Sequence, residues 1–460
     1  MFYANRGLSL WAVLSCMIKP LLNSATNLLA YLVVIDMYVK SLTLQNFRAF
    51  ESLSIEFKPG MNVIAGVNGA GKTSLLLGLL PPLSWWGSSL TNNFPIVGVS
   101  ETDVRKVPLR VNNRTSFETK FPVRSIAAIQ IGEEVLEYGE EYSNSSMKSE
   151  LKWPTSKFSD AERMPLMVFY RANRKWSDVQ KINETQVATS QDSRFVAYDR
   201  WSNATDNHEK LYSWVFVKTL ERQEWALERG VGFDDVHDDD LATLNQTLRD
   251  AIPESFHSLA FSVREKNIVV KRSPEDNGVL FNQLSDGERA FICLFADLAQ
   301  RACQLNPALG TRATQETPGV VLIDEVDEHL HPKWQRQIVT GLIRAFPCIQ
   351  FIVTTHSPQV LGEVPADQIY LLSNGGVTQP VSSVGRTSDE VLIKLMGASE
   401  VNLEFKRKTD EIYEAINNEQ FNMARELLSN LDETYGETEA GGKLGTLIRL
   451  MDAEEEEGEV

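Results

Sequence analysis

Apolar and polar residues alternate from Val39 to Arg48 and again from Leu53 to Phe57. This alternation turns one face of each segment inward and predicts two strands paired as a hairpin. The continuous apolar run over 61–65 predicts a short buried strand, which leads into a glycine-rich turn and a helix over 74–80. A strand, a glycine turn and a helix therefore follow one another near the start of the patterned chain.

The second half of the chain alternates short apolar runs with longer amphipathic ones. Strands are predicted over 320–323, 350–355 and 368–372, with a helix over 332–345 between the first two. Strands that alternate with helices of this length predict a largely parallel sheet with helices on its faces. We therefore expect an α/β fold.

Residues 388–451 show helical periodicity beyond the last predicted strand. The following apolar residues line one face of this helical tail: Ile412, Ile416, Phe421, Ala424, Leu427 and Leu431. The stripe either packs onto its own unit, or docks a partner or a second copy of the chain.

The chain has 460 residues, a length that predicts two or three units. Its 45 Lys and Arg residues against 62 Asp and Glu residues give a net charge of −17. We do not expect so negative a chain to coat nucleic acid or anionic lipid non-specifically, although a local basic groove stays possible. The four cysteines have no CxxC spacing, which predicts buried thiols in the reducing cytoplasm.

Residues 1–36 carry two short apolar runs, and neither reaches the roughly 18 residues of a membrane-spanning helix. No clear signal-peptide cleavage site follows them. Because strand patterning begins only at Met37, we expect this segment to precede the natural start or to form an appendage. A membrane-associated helix is the alternative interpretation, but we expect no membrane partner.

Residues 66–73 read Gly-Val-Asn-Gly-Ala-Gly-Lys-Thr and fit the pattern G-x-x-x-x-G-K-[ST] at every fixed position. We call this segment the phosphate loop. Its backbone N–H groups are expected to surround nucleotide phosphates at the start of a helix. Lys72 is expected to reach the β- and γ-phosphates of ATP, and Thr73 to hold Mg²⁺. The nucleotide-binding residues predicted here are Gly66, Asn68, Gly69, Ala70, Gly71, Lys72, Thr73 and Ser74.

A phosphate loop needs an acidic metal partner, and the strand over 320–323 ends in Asp324 and Glu325. We expect Asp324 to hold the magnesium ion through water and Glu325 to polarise the attacking water as the catalytic base. Two acids at a strand end are common by themselves. Together with the phosphate loop they predict a nucleotide hydrolase.

Two further segments carry chemistry. The segment Leu284-Ser-Asp-Gly-Glu288 precedes Asp324 and begins a helix, so Ser285 and the backbone of Gly287 could bind a γ-phosphate. The segment Thr354-Thr-His-Ser357 ends the next strand, which places His356 where it could contact the same phosphate and act in catalysis.

The ordered set of motifs resembles the ATP-binding-cassette (ABC) superfamily in its RecF-, Rad50- and SMC-like branch. Leu284–Glu288 matches the signature segment of that family, Asp327 matches its D-loop, and His356 matches its switch histidine. The resemblance implies a P-loop NTPase head with a mixed sheet, which hydrolyses ATP with Mg²⁺. It also implies that Asn46 and Arg48 lie near the nucleotide.

In the ABC family the signature segment of one protomer closes on the ATP held by the other. The resemblance therefore implies a head-to-tail homodimer or a higher homo-oligomer. Lys72, Thr73, Asp324, Glu325 and His356 would act within one protomer. Across the interface, the partner protomer would contribute its own copies of Ser285, Gly287 and Asp327. For the family's Q-loop glutamine, Gln130 and Gln186 are the candidates.

The resemblance covers about residues 39–83 and 280–373, and together with the sequence pattern it divides the chain into five parts. We expect an appendage (1–36), a first ATPase lobe (37–83), a helical and β insertion or lid (84–280), a second lobe (281–387) and a helical tail (388–460).

Residues 282–361 also resemble the ATPase subunit family of the Septu antiphage system and its retron-associated relatives. The resemblance is carried by Leu322-Ile-Asp-Glu-Val326, His329-Leu-His-Pro-Lys-Trp-Gln335 and Phe351–Val360. It implies an ATPase that regulates a separate HNH nuclease, with DNA contacted through the complex. The alternatives are a RecF-like DNA-repair ATPase, which would bind DNA directly, and an ATP-dependent scaffold without turnover.

Overall fold

The computed structural model describes residues 37–91, 94–111, 114–143, 146–148, 163–172, 193–204, 208–373, 375–386, 388, 390–391, 403–418, 420–436 and 438–458. The chain divides into two compact units, Met1–Thr387 and Ser388–Val460. The prediction for residues 1–36 lies outside the described residues. Among the described helices, none combines the length and the apolar character needed to cross a bilayer.

All the described β-strands lie in the first unit. They are β1 (Met37–Phe47), β2 (Phe50–Glu56), β3 (Met61–Ala65), β4 (Lys106–Val111), β5 (Arg114–Thr119), β6 (Val123–Ile131), β7 (Glu134–Ser143), β8 (Ser146–Lys148), β9 (Leu166–Tyr170), β10 (Ser258–Ser262), β11 (Asn267–Lys271), β12 (Val279–Leu280), β13 (Gly319–Ile323), β14 (Ile349–Thr355), β15 (Ile369–Ser373) and β16 (Gly376–Thr378).

Among the described residues of both units, the α-helices are α1 (Lys72–Leu90), α2 (His208–Arg229), α3 (Asp240–Ala251), α4 (Asp286–Leu305), α5 (Ala313–Glu316), α6 (Pro332–Ala345), α7 (Pro358–Leu361), α8 (Leu403–Asn417), α9 (Phe421–Tyr435) and α10 (Glu439–Gly458).

A six-stranded sheet in the order β16-β15-β3-β14-β13-β9 forms the centre of the first unit. Its neighbouring strands are parallel except for the pair β15 and β16. Every residue of β3, β9, β13 and β14 is buried. This is expected of parallel strands covered on both faces, and it matches the predicted α/β class with a mixed sheet.

An antiparallel sheet in the order β2-β1-β6-β7-β8 lies beside the central one. The predicted hairpin is confirmed, since β1 and β2 pair antiparallel from Ser41 opposite Glu56 to Phe47 opposite Phe50. The buried Gln350 side chain joins the two sheets by accepting from the Val39 N–H at 2.8 Å. The start of β1 is thereby fixed to the start of β14.

The helix after the phosphate loop is longer than predicted. It continues through Pro81 and Pro82 to Leu90, although proline cannot donate a backbone hydrogen bond. Most of its residues are buried, among them the fully buried Trp86. Packing thus outweighs the local helix-breaking tendency that limited the prediction. The proposed lobe boundary at residue 83 falls inside this helix.

The segment 84–280, proposed as an insertion or lid, also contributes to the central sheet. Its strand β9 forms one edge of that sheet and runs parallel to β13. Gln130 lies opposite Tyr38, at the end of β1 away from Asn46 and Arg48, and its side chain donates to the Gly132 carbonyl. Gln186 lies outside the described residues.

The second unit forms its own core from α8, α9 and α10. Ile412, Ile416 and Leu431 are at most 1% exposed, and they pack with Leu444 and Ile448 of α10. Of the two interpretations of the apolar stripe, the structure therefore supports the one in which it packs onto its own unit. Any docking surface of this unit has to use other side chains.

Candidate nucleotide site

The phosphate loop connects β3 to α1 at the carboxyl end of the central sheet. Two of its glycines are required by close approach: a Cβ on Gly66 would clash with the Leu372 carbonyl, and one on Gly71 would lie 2.9 Å from the Phe50 ring. Gly71 also has a φ of 103°, which L side chains rarely adopt. At the top of the loop Val67, Asn68 and Gly69 are exposed, so an incoming phosphate can reach the backbone.

The Lys72 side chain lies under the phosphate loop and is only 6% exposed. Its Nζ donates to the carbonyls of Gly66 at 2.9 Å and Val67 at 3.2 Å. Burial lowers the pKa of Lys72, while the nearby carboxylates of Asp324, Glu325 and Asp327 act in the opposite direction. The ammonium is thus held at the phosphate loop, and the acids that follow β13 lie near it.

Thr73 and Asp324 form the oxygen pair predicted for magnesium. The Thr73 hydroxyl donates to Asp324 Oδ2 at 2.8 Å, and the Thr354 hydroxyl donates to Asp324 Oδ1 at 2.6 Å. Hydroxyl and carboxylate oxygens are the protein ligands that Mg²⁺ prefers, and the ion usually completes its shell with water and substrate phosphates. The described residues contain no group of three acids, histidines or cysteines placed to hold a metal. The Thr73–Asp324 pair fits a magnesium ion that also needs phosphate ligands.

Glu325 follows Asp324 in a left-handed conformation, with φ of 51°. Its N–H donates to the Thr354 hydroxyl at 2.8 Å, which fixes the turn out of β13. Burial raises the pKa of Glu325, and the neighbouring carboxylates of Glu328, Asp324 and Asp327 raise it further. A carboxylate with a raised pKa is a better proton acceptor, as a general base requires.

His356 is half-buried beyond the end of β14, the strand next to β13 and β3. Burial lowers the pKa of His356, and the positive charge of Lys72 lowers it further, while Asp327 and Asp324 oppose the shift. Its imidazole therefore favours the neutral form, which can donate one hydrogen bond and accept another. The ends of β3, β13 and β14 thus bring Lys72, Asp324, Glu325 and His356 into one site.

Asp327, assigned across a dimer interface by the resemblance, is hydrogen-bonded within its own chain. The Thr355 hydroxyl donates to its Oδ1 at 2.5 Å, and the same hydroxyl accepts from the Ser357 N–H at 2.9 Å. The carboxylate is thereby held at the end of β14. Its role toward a second protomer stays a prediction.

The signature segment Leu284–Glu288 begins α4. Ser285 caps this helix: its hydroxyl accepts from the Glu288 N–H at 3.3 Å, and the Glu288 carboxylate accepts from the Ser285 N–H at 3.1 Å. A Cβ on Gly287 would lie 3.0 Å from the His329 carbonyl, so this glycine allows the helix start to pack on the turn after Glu325. The described contacts do not bring Ser285 to Lys72. Its contact with nucleotide across a dimer also stays a prediction.

Asn46 lies near the end of β1, and Arg48 lies in the turn between β1 and β2. Asn46 donates to the Pro122 carbonyl at 3.0 Å, and Arg48 Nε donates to Asp103 Oδ1 at 2.7 Å. The next residues, Ala49 and Phe50, lie against the phosphate loop at Gly71. Both side chains therefore hold neighbouring chain segments, and the nucleotide contact implied by the resemblance stays a prediction.

Two residues that orient the site were not singled out from the sequence. Thr354 contacts both Asp324 and Glu325, and Thr355 contacts Asp327. The available signal was the pair of threonines directly before His356, at the end of a strand whose other residues are apolar except for Gln350. Side chains at that position face the neighbouring strand end, where the acids lie.

Two family models match this chain. One, described as an "AAA domain", matches residues 41–211. The other, described as "AAA domain, putative AbiEii toxin, Type IV TA system", matches residues 197–362. Together the matched segments contain the phosphate loop, the signature segment, both strand-end acids and His356.

Known proteins are similar over most of the chain. The "Retron Ec83 probable ATPase" of Escherichia coli is 26% identical over 73% of this chain and 72% of its own length. The "Septu protein PtuA" of Bacillus thuringiensis is 23% identical over 81% of this chain and 89% of its own length. Among solved structures, the SMC head domain from Thermotoga maritima covers 74% of this chain and 98% of its own at 16% identity, with a TM-score of 0.34. The sequence matches confirm the predicted resemblance to ABC-type ATPases of the Septu and retron kind, and the fold is the predicted α/β P-loop NTPase fold.

Proposed function

We propose that this ABC-type ATPase binds and hydrolyses ATP as a subunit of an antiphage-defence complex, and that it controls a separate HNH nuclease that acts on DNA. The observation that carries the ATPase part is the convergence of Lys72, Thr73, Asp324 and Glu325 at neighbouring strand ends. The similarity to the retron ATPase and to PtuA supports the defence role.

Binding begins at the phosphate loop. The carbonyls of Gly66 and Val67 now accept hydrogen bonds from Lys72 Nζ, and a β- or γ-phosphate oxygen can replace these weaker acceptors with a full negative charge. The phosphate also balances the cation that burial disfavours. Hydrogen bonds from Lys72 Nζ to a phosphate are therefore stronger than its bonds to the Gly66 and Val67 carbonyls.

Magnesium would be held by the Thr73 hydroxyl directly and by Asp324 through water, with phosphate oxygens as further ligands. When bound, the ion neutralises charge that develops on the phosphates. Thr73 and Thr354 donate to opposite oxygens of the Asp324 carboxylate, so the aspartate is already oriented before anything binds. Such preorganisation removes reorganisation from the hydrolytic step.

Hydrolysis requires a base and a group that contacts the γ-phosphate. Glu325 accepts a proton from the attacking water. The water oxygen bonds to the γ-phosphorus, and the bond between the γ-phosphorus and the ADP oxygen breaks. The neutral imidazole of His356 keeps one N–H group, which can donate a hydrogen bond to a γ-phosphate oxygen. The carboxylate of Asp327 is held by Thr355, and its negative charge favours the protonated form of Lys72.

Closure on a second protomer completes the proposal. One protomer's phosphate loop would meet Ser285 and Gly287 of the partner subunit, as the family resemblance implies. ATP would then join two heads, and hydrolysis would release them. The nuclease would sense this cycle through the assembled complex.

The test is to co-express the full chain with a candidate HNH protein, isolate the complex and measure phosphate release and DNA cleavage. We expect the wild type to hydrolyse ATP and Glu325→Gln to lose this activity. We also expect the complex to cleave DNA in a nucleotide-dependent way. If the wild-type chain hydrolyses ATP but never associates with the nuclease, the proposed defence role is refuted and the proposed ATPase activity stands. If the chain does not bind ATP, both proposals are refuted.

A further inference from the structure

An exposed two-stranded ribbon formed by β4 and β5 lies outside the site described above. In the part of the chain that the structure describes, these strands pair only with each other. Their side chains are largely exposed, including Leu109 at 42% and Phe117 at 66%. A lone hairpin is at best marginally stable in water, so its persistence calls for an anchor or a ligand. We call residues 105–120 the basic ribbon.

The base of the basic ribbon is attached to the turn next to the phosphate loop. Arg48 N–H donates to the Asp103 carbonyl at 2.7 Å, and Arg105 N–H donates to the Asn46 carbonyl at 2.9 Å. Lys120 N–H donates to the Arg105 carbonyl at 3.0 Å and closes the stem of the hairpin. The ribbon therefore has a firm base, whereas its two strands extend without a covering element among the described residues.

The charge of the basic ribbon is opposite to that of the chain. Residues 105–120 contain five basic residues and one acidic residue, a local net charge of +4 in a chain of net charge −17. Two of the cations at the stem are paired, Arg105 with Glu51 and Lys120 with Glu118. Along β4, the described ion pairs give no carboxylate partner to Lys106 or Arg110. Two exposed cations are thus available to an anionic ligand.

The strand register places these two cations on one face with an aromatic ring. Residues directly opposite each other in an antiparallel pair share a face, and the pairs are Lys106 with Thr119, Pro108 with Phe117, and Arg110 with Thr115. This face carries no acidic residue, because Glu118 pairs with Val107 on the other face. Phe117 therefore lies between two cations that are about 13 Å apart along the strand, at about 3.3 Å per residue.

We propose that this face of the basic ribbon binds single-stranded nucleic acid, with phosphates on Lys106 and Arg110 and a base stacked on Phe117. Cationic side chains that follow a backbone, interleaved with aromatic rings that stack on bases, are the chemistry of sequence-tolerant single-strand binding. An acidic protein would satisfy the cations but would not use an exposed ring between them. The proposal does not rest on ATP hydrolysis, and it assigns the nucleic-acid contact to this chain itself.

The test uses the full chain without nucleotide and a fluorescein-labelled oligothymidine, with binding followed by anisotropy at low and moderate salt. Lys106→Glu/Arg110→Glu should weaken binding at least tenfold and reduce its salt dependence, since two phosphate contacts are lost. Phe117→Ala should weaken binding by roughly 5- to 150-fold, the range for loss of one stacked base. Arg264→Glu/Lys266→Glu, the same charge change on the exposed turn between β10 and β11, should bind like the wild type.

Each variant is checked for unchanged ATP affinity, which shows that the fold and the nucleotide site are intact. A wild-type chain that does not bind the oligothymidine overturns the proposal, and so does equal binding by the ribbon and control variants. A duplex of the same length bound more tightly than the single strand, with no effect of Phe117→Ala, also overturns it. If the ribbon variants change only the oligomeric mass measured by light scattering, the ribbon contacts protein and the proposal fails.

Discussion

Thr73 donates its hydroxyl hydrogen bond to Asp324 at 2.8 Å, although 251 positions separate the two residues in the chain. The bond joins the phosphate loop to the acidic end of β13. Because Thr354 donates to the other carboxylate oxygen, Asp324 cannot turn without losing two hydrogen bonds. The nucleotide site is thus preorganised by side chains from three different strand ends.

Replacing Lys72 with alanine should abolish measurable ATP binding. The change removes the cation that lies at the phosphate loop and leaves the carboxylates of Asp324, Glu325 and Asp327 to repel the phosphates. Titration calorimetry with ATP and Mg²⁺ measures the loss. Lys58→Ala is the matched control, because Lys58 forms an exposed pair with Asp367 and such pairs contribute little. ATP affinity equal to the wild type in Lys72→Ala would refute the site assignment.

Replacing Glu325 with glutamine should preserve ATP binding and stop hydrolysis. Glutamine keeps the shape of the side chain but cannot accept the proton of the attacking water. If two heads close on ATP, the variant should accumulate as a closed dimer that size-exclusion chromatography with light scattering detects. Wild-type turnover in this variant would mean that the base lies elsewhere.

The same variant should be more stable than the wild type at neutral pH when nucleotide and metal are absent. The pKa of Glu325 is raised in the folded chain, so the folded state binds this proton more tightly than the unfolded state. The stabilising contribution is therefore present at acidic pH and is lost as pH rises through the raised pKa. Glu325→Gln removes the repulsion from Glu328, Asp324 and Asp327.

We expect a measurable gain in the free energy of unfolding at pH 7, because the ionised carboxylate of Glu325 is disfavoured in the folded chain. The gain should shrink as pH falls and disappear below the ordinary glutamate pKa of about 4.3, where the carboxyl is protonated in both the folded and the unfolded state. Denaturant unfolding at the two pH values measures it, with Glu254→Gln on an exposed turn as the control. A Glu325→Gln chain less stable than the wild type at neutral pH contradicts the argument.

Thr354→Val should lower the turnover number of ATP hydrolysis about tenfold or more while the chain stays folded. Valine has the shape of threonine but removes the hydrogen bonds that the Thr354 hydroxyl forms with Asp324 Oδ1 and with the Glu325 N–H. A hydrogen bond to a charged group such as the Asp324 carboxylate contributes about 1.5–3 kcal/mol. Thr247→Val, a buried threonine of α3 bonded to the Thr243 carbonyl, controls for stability alone. Equal loss of activity in both variants would assign the effect to stability.

Much of this site could be predicted because its chemistry follows local patterns. A buried strand, a glycine-rich turn and a helix identify the phosphate loop, and an apolar strand that ends in Asp324 and Glu325 identifies its acidic partner. Thr354 is harder to recognise, since its function depends on strand β14 lying between β3 and β13. Strand order is a property of the whole sheet and has no local sequence signal.

The extent of α1 and the place of β9 could not be predicted for a related reason. Pro81 and Pro82 end a helix by local rules, but burial of Trp86 and its neighbours outweighs that tendency. The run Leu166–Tyr170 reads as a strand, yet nothing in its residues shows that it completes the central sheet beside β13. Tertiary packing decides both features.

Deleting residues 388–460 should leave a chain that binds ATP like the intact protein. Every residue of the candidate nucleotide site belongs to the first unit, and the second unit has a core made of its own helices. Titration calorimetry with ATP and Mg²⁺ measures this expectation, and an ATP affinity much weaker than that of the intact chain would contradict it.

The same deletion should abolish association with the nuclease or with a second protomer, if the second unit is the docking element. Its buried stripe cannot supply the contact, so the exposed apolar residues Tyr413, Met423 and Leu450 are the candidates. Met423→Glu should then weaken association without unfolding the unit, whereas Leu431→Ala should unfold it by removing about 2–5 kcal/mol of core packing. Association that survives both the deletion and Met423→Glu would place the docking surface in the first unit, because only that unit is then common to every chain that assembles.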